Sequence, residues 1–119
     1  MLINLSNHPS DKWSAEQTAA ANAQFGEIVN LPFPLIEPNA TKEDIARIAQ
    51  HYLIRVQQIG LPNNTAIHIM GEMTLTYQLV VLLKDAGYRC YASTTMREVY
   101  EQEPGKKTVI FQFVKFREY

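Results

Sequence analysis

Thr65-Ala-Ile-His-Ile-Met-Gly-Glu-Met-Thr-Leu-Thr-Tyr-Gln-Leu-Val-Val-Leu-Leu-Lys-Asp-Ala-Gly-Tyr-Arg-Cys-Tyr-Ala-Ser93 is the stretch that decides the fold. Thr65 to Met70 is a short apolar run of strand length. Thr74 to Ala86 then carries Leu75, Leu79, Leu82, Leu83 and Ala86 at helical spacing, with Thr74 expected as its cap and Gly87 as its stop. Tyr88 to Ser93 is apolar again. A strand, a helix and a second strand in this order predict a βαβ unit, with a right-handed crossover and parallel pairing.

The same alternation extends upstream. Met1 to Leu5 predicts a first strand, broken by Ser6-Asn-His-Pro-Ser-Asp11. Ser14-Ala-Glu-Gln17 is a capping box, and Ala15, Ala19 and Ala23 behind it give a helix slim enough to lie close to a sheet, ending at Gly26. Glu27 to Leu31 is a short strand, halted by Pro32, Pro34 and Pro38. Thr41 caps the next helix, whose apolar face is Ile45, Ile48, Ala49, Tyr52, Val56 and Ile59. The expectation is a Rossmann-like three-layer α/β sandwich of β-α-β-α-β-α-β order with a mainly parallel sheet.

Downstream, Arg97 to Gln102 and Lys107 to Phe116 flank Glu103-Pro-Gly-Lys106, which has the residues of a tight turn. They predict a C-terminal antiparallel hairpin, with a short helix over Met96 to Gln102 as the rival reading. In the last strand, alternation sets Val109, Phe111 and Phe113 on one face and Ile110, Val114 and Phe116 on the other. A strand apolar on both faces is covered on both, by helices or by a second subunit. The 119 residues make one domain, 1–119.

Composition narrows the function classes. Eleven basic and twelve acidic residues argue against a duplex-DNA binder. The lone Cys90 precludes an internal disulfide and suits a reducing cytoplasm. No apolar run is long enough to span a membrane, and no signal peptide is expected. The three histidines lack metal-ligand spacing, so no metal and no cofactor are expected. Residues 1–40 hold one base, Lys12, against four acids, whereas residues 88–119 hold six bases against four acids. That tilt favours an anion near the last strands.

In parallel α/β sheets ligands sit beyond the carboxyl ends of the strands. Three polar segments occupy those ends: Ser6-Asn7-His8, Gly71-Glu72-Met73-Thr74, and Ser93-Thr94-Thr95-Met96-Arg97. Hydroxyls, an imidazole and a guanidinium suit a phosphate-bearing ligand. Arg97 is the strongest candidate, for bidentate phosphate recognition, and His8 is a proton-transfer candidate held extended by Pro9. Plainer roles stand beside these: turn chemistry for Ser6, Asn7, Thr94 and Thr95, a tight turn for Gly71, helix-dipole support for Glu72, an exposed strand-edge position for Arg97, and a hydrogen-bonded core position for His68.

The strand-initial start running into Ser6-Asn7-His8-Pro9, the helix with Gln17, and the junctions Gly71-Glu72-Met73-Thr74 and Ser93-Thr94-Thr95 together resemble small stand-alone proteins of type III CRISPR systems. Those are compact relatives of the CRISPR-associated Rossmann-fold (CARF) domains, some of them ring nucleases. The resemblance implies a homodimer that binds a cyclic oligoadenylate, often the tetramer. It further implies metal-independent cleavage by in-line attack of a ribose 2′-hydroxyl. In that scheme Arg97 neutralises the phosphate, His8 transfers a proton, and Ser6, Asn7, Thr94 and Thr95 fix the ring. The chain departs from the effector-linked forms in carrying no effector domain, and it has no distinctive catalytic signature.

Overall fold

The computed structural model describes all residues 1–119. Its elements are β1 (Leu2–Ser6), α1 (Ala15–Phe25), β2 (Ile28–Asn30), α2 (Lys42–Ile59), β3 (Ala66–Met70), α3 (Met73–Asp85), β4 (Arg89–Glu103) and β5 (Lys106–Glu118), with a single 3-10 turn at Ser10–Lys12. The five strands form one mixed sheet in the order β2-β1-β3-β4-β5. Pairing is parallel from β2 to β4, and β5 runs antiparallel to β4. The α/β class and the C-terminal antiparallel pair are as expected from the sequence. No helix is long and apolar enough to cross a membrane.

Side-chain alternation divides the sheet into two unequal faces. Ile3, Leu5, Ile67 and Ile69 point into a 15-residue core with Ile45, Ala49, Tyr52 and Val56 of α2 and Leu75, Leu79 and Leu83 of α3. Leu2 points the other way, joining a smaller buried cluster with Ala21, Tyr91 and Phe116 under α1, edged by half-buried residues such as Trp13 and Phe25. Each fully buried aliphatic side chain contributes roughly 1.5–3 kcal/mol of transfer free energy, so most of the hydrophobic stabilisation lies on the α2/α3 face. The α1 face is thinly covered. Ile59, expected on the inner face of α2, lies at the helix end and stays exposed.

The proline-rich segment after β2 remains extended. Leu31 donates its N–H to Asn4 O at 2.9 Å and Phe33 donates to Ser6 O at 3.3 Å. Pro32 and Pro34 fall on the alternate positions, where an edge strand has no neighbour to donate to, so their missing N–H groups cost little.

Two readings of the C-terminal quarter change. Ser93-Thr94-Thr95 is not a bend: β4 runs unbroken from Arg89 to Glu103, which also replaces the short-helix alternative with strand. The hydroxyl residues look like turn formers in sequence, but Thr94 Oγ1 meets Lys115 O and N at 3.1 and 3.2 Å within the ladder. The register steps from Thr94↔Lys115 to Thr95↔Phe113, leaving Val114 as a β-bulge. That extra residue inverts the alternation. Phe116 therefore shares a face with Phe113, ring centroids 5.1 Å apart, instead of lying opposite it.

Parallel pairing with β3 ends at Tyr91, so the rest of β4 and its β5 partner leave the body as a two-stranded arm. The arm turns at Pro104-Gly105, with Gly105 at φ +84°. It accounts for a radius of gyration of 16.1 Å, against about 13.5 Å expected for a globular chain of this length. Helix α1 covers only its base at Phe116, and further out Met96, Val109, Ile110, Phe111 and Val114 are exposed on its two faces.

The Thr94 hydroxyl brackets the bulge from the neighbouring strand, so Thr94→Val is expected to lower stability by about 1 kcal/mol. Urea unfolding checks this; the midpoint should fall with the slope unchanged.

Candidate functional site

A cleft of about 660 Å³ opens on the α1 face at the carboxyl end of β3, beside the first half of β4. His8, Lys12 and Trp13 from the β1–α1 segment form one wall, and Ser14 and Gln17 from the first turn of α1 adjoin them. His68 and Met70 of β3, Ser93 and Thr95 of β4, and Phe111 and Phe113 of β5 complete it. It holds the Lys12 ammonium, two imidazoles, hydroxyls, an amide and aromatic rings, and no carboxylate lines it. The chain order turns here: β2 lies on one side of β1 and β3 on the other, which parts the loops above the sheet and leaves a crevice.

A buried polar network forms the floor. Asn4 and His68 face each other in the β1–β3 register. Asn4 Nδ2 donates to His8 O at 2.8 Å and to Asn30 Oδ1 at 3.0 Å. Asn30 Oδ1 also accepts from the Ser10 amide, so its oxygen is fixed. With its nitrogen committed to two acceptors, Asn4 turns Oδ1 toward the Ser6 hydroxyl at 2.7 Å and His68 Nδ1 at 2.8 Å. An acceptor oxygen at Nδ1 places the imidazole proton there. Nε2 is left bare, 3.2 Å from Ser93 Oγ. Burial, aided by the neighbouring His8, lowers the His68 pKa from 6.5 to about 4 and keeps the ring neutral. Trp13 stacks edge-on against it at 5.4 Å and donates its indole N–H to His8 O at 3.0 Å.

The sequence candidates separate into groups. His8, Ser93 and Thr95 meet in the cleft. Arg97 pairs with Phe111 one step further along the arm, on the same face, and forms no ion pair. Thr94 alternates to the opposite face. Ser6 is buried in the network, while exposed Asn7 lines a separate hollow of about 140 Å³ with Asn4, Asn30 and Phe33. Gly71 borders an apolar cleft beside α3. A Cβ there would come 2.6 Å from the Phe33 ring, so close packing explains this glycine.

Glu72, not Thr74, is the N-cap of α3. Its carboxylate accepts from the Thr74 amide at 3.0 Å and the Leu75 amide at 2.9 Å, as well as from the Thr74 hydroxyl. The Thr74 hydroxyl and these two amides hold the Glu72 carboxyl below its usual pKa. The carboxylate reaches both orphan amides, and the threonine becomes its donor.

His68, Asn4, Trp13, Lys12 and Gln17 were not among the sequence candidates. His68 is a hydrogen-bonded core residue as expected, yet one ring edge also reaches the cleft. Only tertiary register brings Asn4 beneath it. No group of three or more His, Cys, Asp or Glu side chains converges to hold a metal. Burial pushes the Cys90 thiol up to about 12, far from a reactive thiolate.

Fold and cleft together define an α/β protein with an open crevice on the thinly covered face of a mostly parallel sheet. The chain belongs to the family described as Uncharacterized protein MJ1673 family, whose model matches residues 1–117. No curated protein and no solved structure matches it.

A histidine that stays neutral when folded but titrates near 6.5 when unfolded binds fewer protons in the native state between those values. Its contribution is therefore intact above about pH 6.5 and is lost as pH falls toward 4. From pH 7 to pH 5 this predicts a loss of about 2 kcal/mol. Thermal and urea unfolding at both pH values should show that loss in the wild type and not in His68→Gln.

Proposed function

We propose that the protein is a cyclic oligoadenylate ring nuclease, a CARF-like member of the type III CRISPR machinery that switches off second-messenger signalling by cleaving the ring without a metal. The observation that carries this reading is the composition of the main cleft: His8, Lys12, hydroxyls and three aromatic side chains, with no carboxylate on any wall. Cations and the first turn of a helix attract phosphates, and aromatic faces accept stacked bases. The strand order, with α1 on one face and α2 and α3 on the other, supports the Rossmann-like reading.

In this scheme the Arg97 guanidinium swings from the arm to neutralise a phosphate, and His8 supplies a proton to the leaving oxygen. Ser93 and Thr95 contact the ribose. Ser6 shapes the floor, whereas Asn7, Thr94, Gly71, Glu72 and Thr74 lie outside the cleft and take no ligand contact in it. A cleft of about 660 Å³ takes a fragment of a tetranucleotide ring rather than the whole. Two copies related by a two-fold axis would hold the rest. The uncovered arm supports this, because Phe111 both lines the cleft and is exposed beyond it. Such a dimer acts in the cytoplasm, where the ring is made.

Labelled cyclic tetra-adenylate incubated with the purified protein should yield linear fragments ending in a 2′,3′-cyclic phosphate, at equal rates with and without chelator. An intact ring after long exposure to excess protein overturns the enzyme reading. Tight calorimetric binding without turnover would instead make the protein a sensor or sponge, a reading favoured by the absence of a charged base in the cleft. Arg97→Ala should weaken ring binding by about 2 kcal/mol, roughly 30-fold in Kd, with the fold unchanged.

Light scattering should give twice the 13.6 kDa chain mass. Phe111→Asp should return the protein to a monomer and abolish turnover.

A further inference from the structure

The chain Asn4–His68–Ser93 is more than structural support. Asn4 Oδ1 fixes the His68 proton on Nδ1, which leaves the Nε2 lone pair as the acceptor for the Ser93 hydroxyl 3.2 Å away. Met70 Sδ lies 3.0 Å from the same hydroxyl. A thioether sulfur is a weak acceptor, so the Ser93 proton goes to the imidazole. Ser93 Oγ thereby keeps its lone pairs for the cleft that it lines. A serine hydroxyl otherwise rotates freely between donor and acceptor roles; here one role is imposed. No other element of the cleft presents an acceptor backed by a base.

We infer that His68 is a positioning residue that acts through Ser93, setting the serine oxygen to accept the proton of the attacking ribose 2′-hydroxyl. The inference deepens the ring-nuclease reading and rests on it. In the step, the 2′-oxygen forms a bond to the adjacent phosphorus as the P–O5′ bond breaks. The 2′-hydroxyl proton passes to Ser93 Oγ while the Ser93 proton passes to His68 Nε2. The departing 5′-oxygen takes a proton from His8, which solvent restores, and the His68 proton returns to solvent after product leaves. The products are a 2′,3′-cyclic phosphate and a free 5′-hydroxyl, with no oxidant, metal or second nucleophile consumed.

The geometry also separates the two edges of the ring by function. Asparagine at position 68 can still donate to Asn4 near the Nδ1 position but does not reach Ser93. Glutamine reaches the Nε2 position and can accept from Ser93, yet it cannot hold the proton. A purely structural histidine would be rescued by asparagine, whereas a hydrogen-bond partner of Ser93 that takes no proton would be rescued by glutamine.

Single-turnover kinetics on cyclic tetra-adenylate, with calorimetric binding of the ring and a melting curve for each protein, make the test. Ser93→Ala removes one half-buried hydroxyl and is expected to fold, which keeps the test decisive if a position-68 variant does not. The expected result is a rate lowered about 100-fold in Ser93→Ala, His68→Asn and His68→Gln, with ring affinity held within about threefold. The double variant His68→Asn/Ser93→Ala should be no slower than either single one, since both break one relay. Wild-type rates in Ser93→Ala, or multiplicative losses in the double variant, overturn the relay while leaving the ring nuclease intact. A wild-type protein that neither binds nor cuts the ring overturns the function itself, so the two failures are distinguishable.

Discussion

Asn4 lies on β1, between β2 and β3 at the point where the chain order reverses, with its carboxamide out of contact with water. Both amide hydrogens and the carbonyl oxygen must find partners inside the protein, because an unpaired buried polar group costs about 1–3 kcal/mol. The four partners come from three pieces of chain: the Ser6 hydroxyl and His8 O at the end of β1 and just beyond it, Asn30 Oδ1 on β2, and His68 Nδ1 on β3. Satisfying them fixes the β1–β3 register, draws the β1–α1 segment back over the strand end and holds β2 at the edge. A one-residue slip of β3 would turn His68 into the apolar α2/α3 core and strand the Asn4 oxygen. The same side chain thus specifies the sheet and the floor of the cleft.

How much of this was legible in the sequence depends on the range of the forces involved. The βαβ unit from Thr65 to Ser93 announced itself because helical spacing and Gly87 are local signals. The Thr41 cap and the Pro104-Gly105 turn were local too. The Val114 bulge was not: nothing near Val114 marks an extra residue, and the slip exists only relative to Thr94 on the opposite strand. The Ser-Thr-Thr run misled for a related reason. Hydroxyls that bond their own backbone in a turn bond a neighbouring strand equally well, and only the presence of β5 decides. At the cleft, Ser93 and Thr95 were expected beyond a strand end and instead lie within β4, and Asn4 and His68 are paired by a contact across 64 residues. The sequence placed His68 in a buried strand but held no sign that Asn4 lies opposite it.

The two faces of the sheet divide stability from recognition. On one, α2 and α3 bring long aliphatic side chains and seal the strands completely. On the other, α1 is an alanine helix with one fully buried residue, Ala21. A slim helix approaches the sheet closely but covers little of its length. The strand ends beyond Trp13 are left to polar side chains and to whatever ligand fills the crevice. Polar residues at such positions would be costly in a sealed core. Here they satisfy one another beneath an open cleft, so the thin packing of α1 is what permits a site at all.

The arm follows from the same imbalance. A two-stranded ribbon alone is marginally stable in water, and this one exposes apolar side chains on both faces along its length. At its tip Glu101 faces Lys107 and Glu103 faces Lys106 across the ladder, so these charges find partners within the ribbon and leave the apolar faces as its uncovered surface. In the proposed dimer a second ribbon packed against this one would bury apolar faces that the single chain leaves exposed. Phe111 shares its face of the ribbon with Arg97, so a second copy packed over Phe111 and Phe113 would bring that guanidinium to the joint as well. The feature that makes the isolated chain look incomplete is therefore the one that would close its binding site.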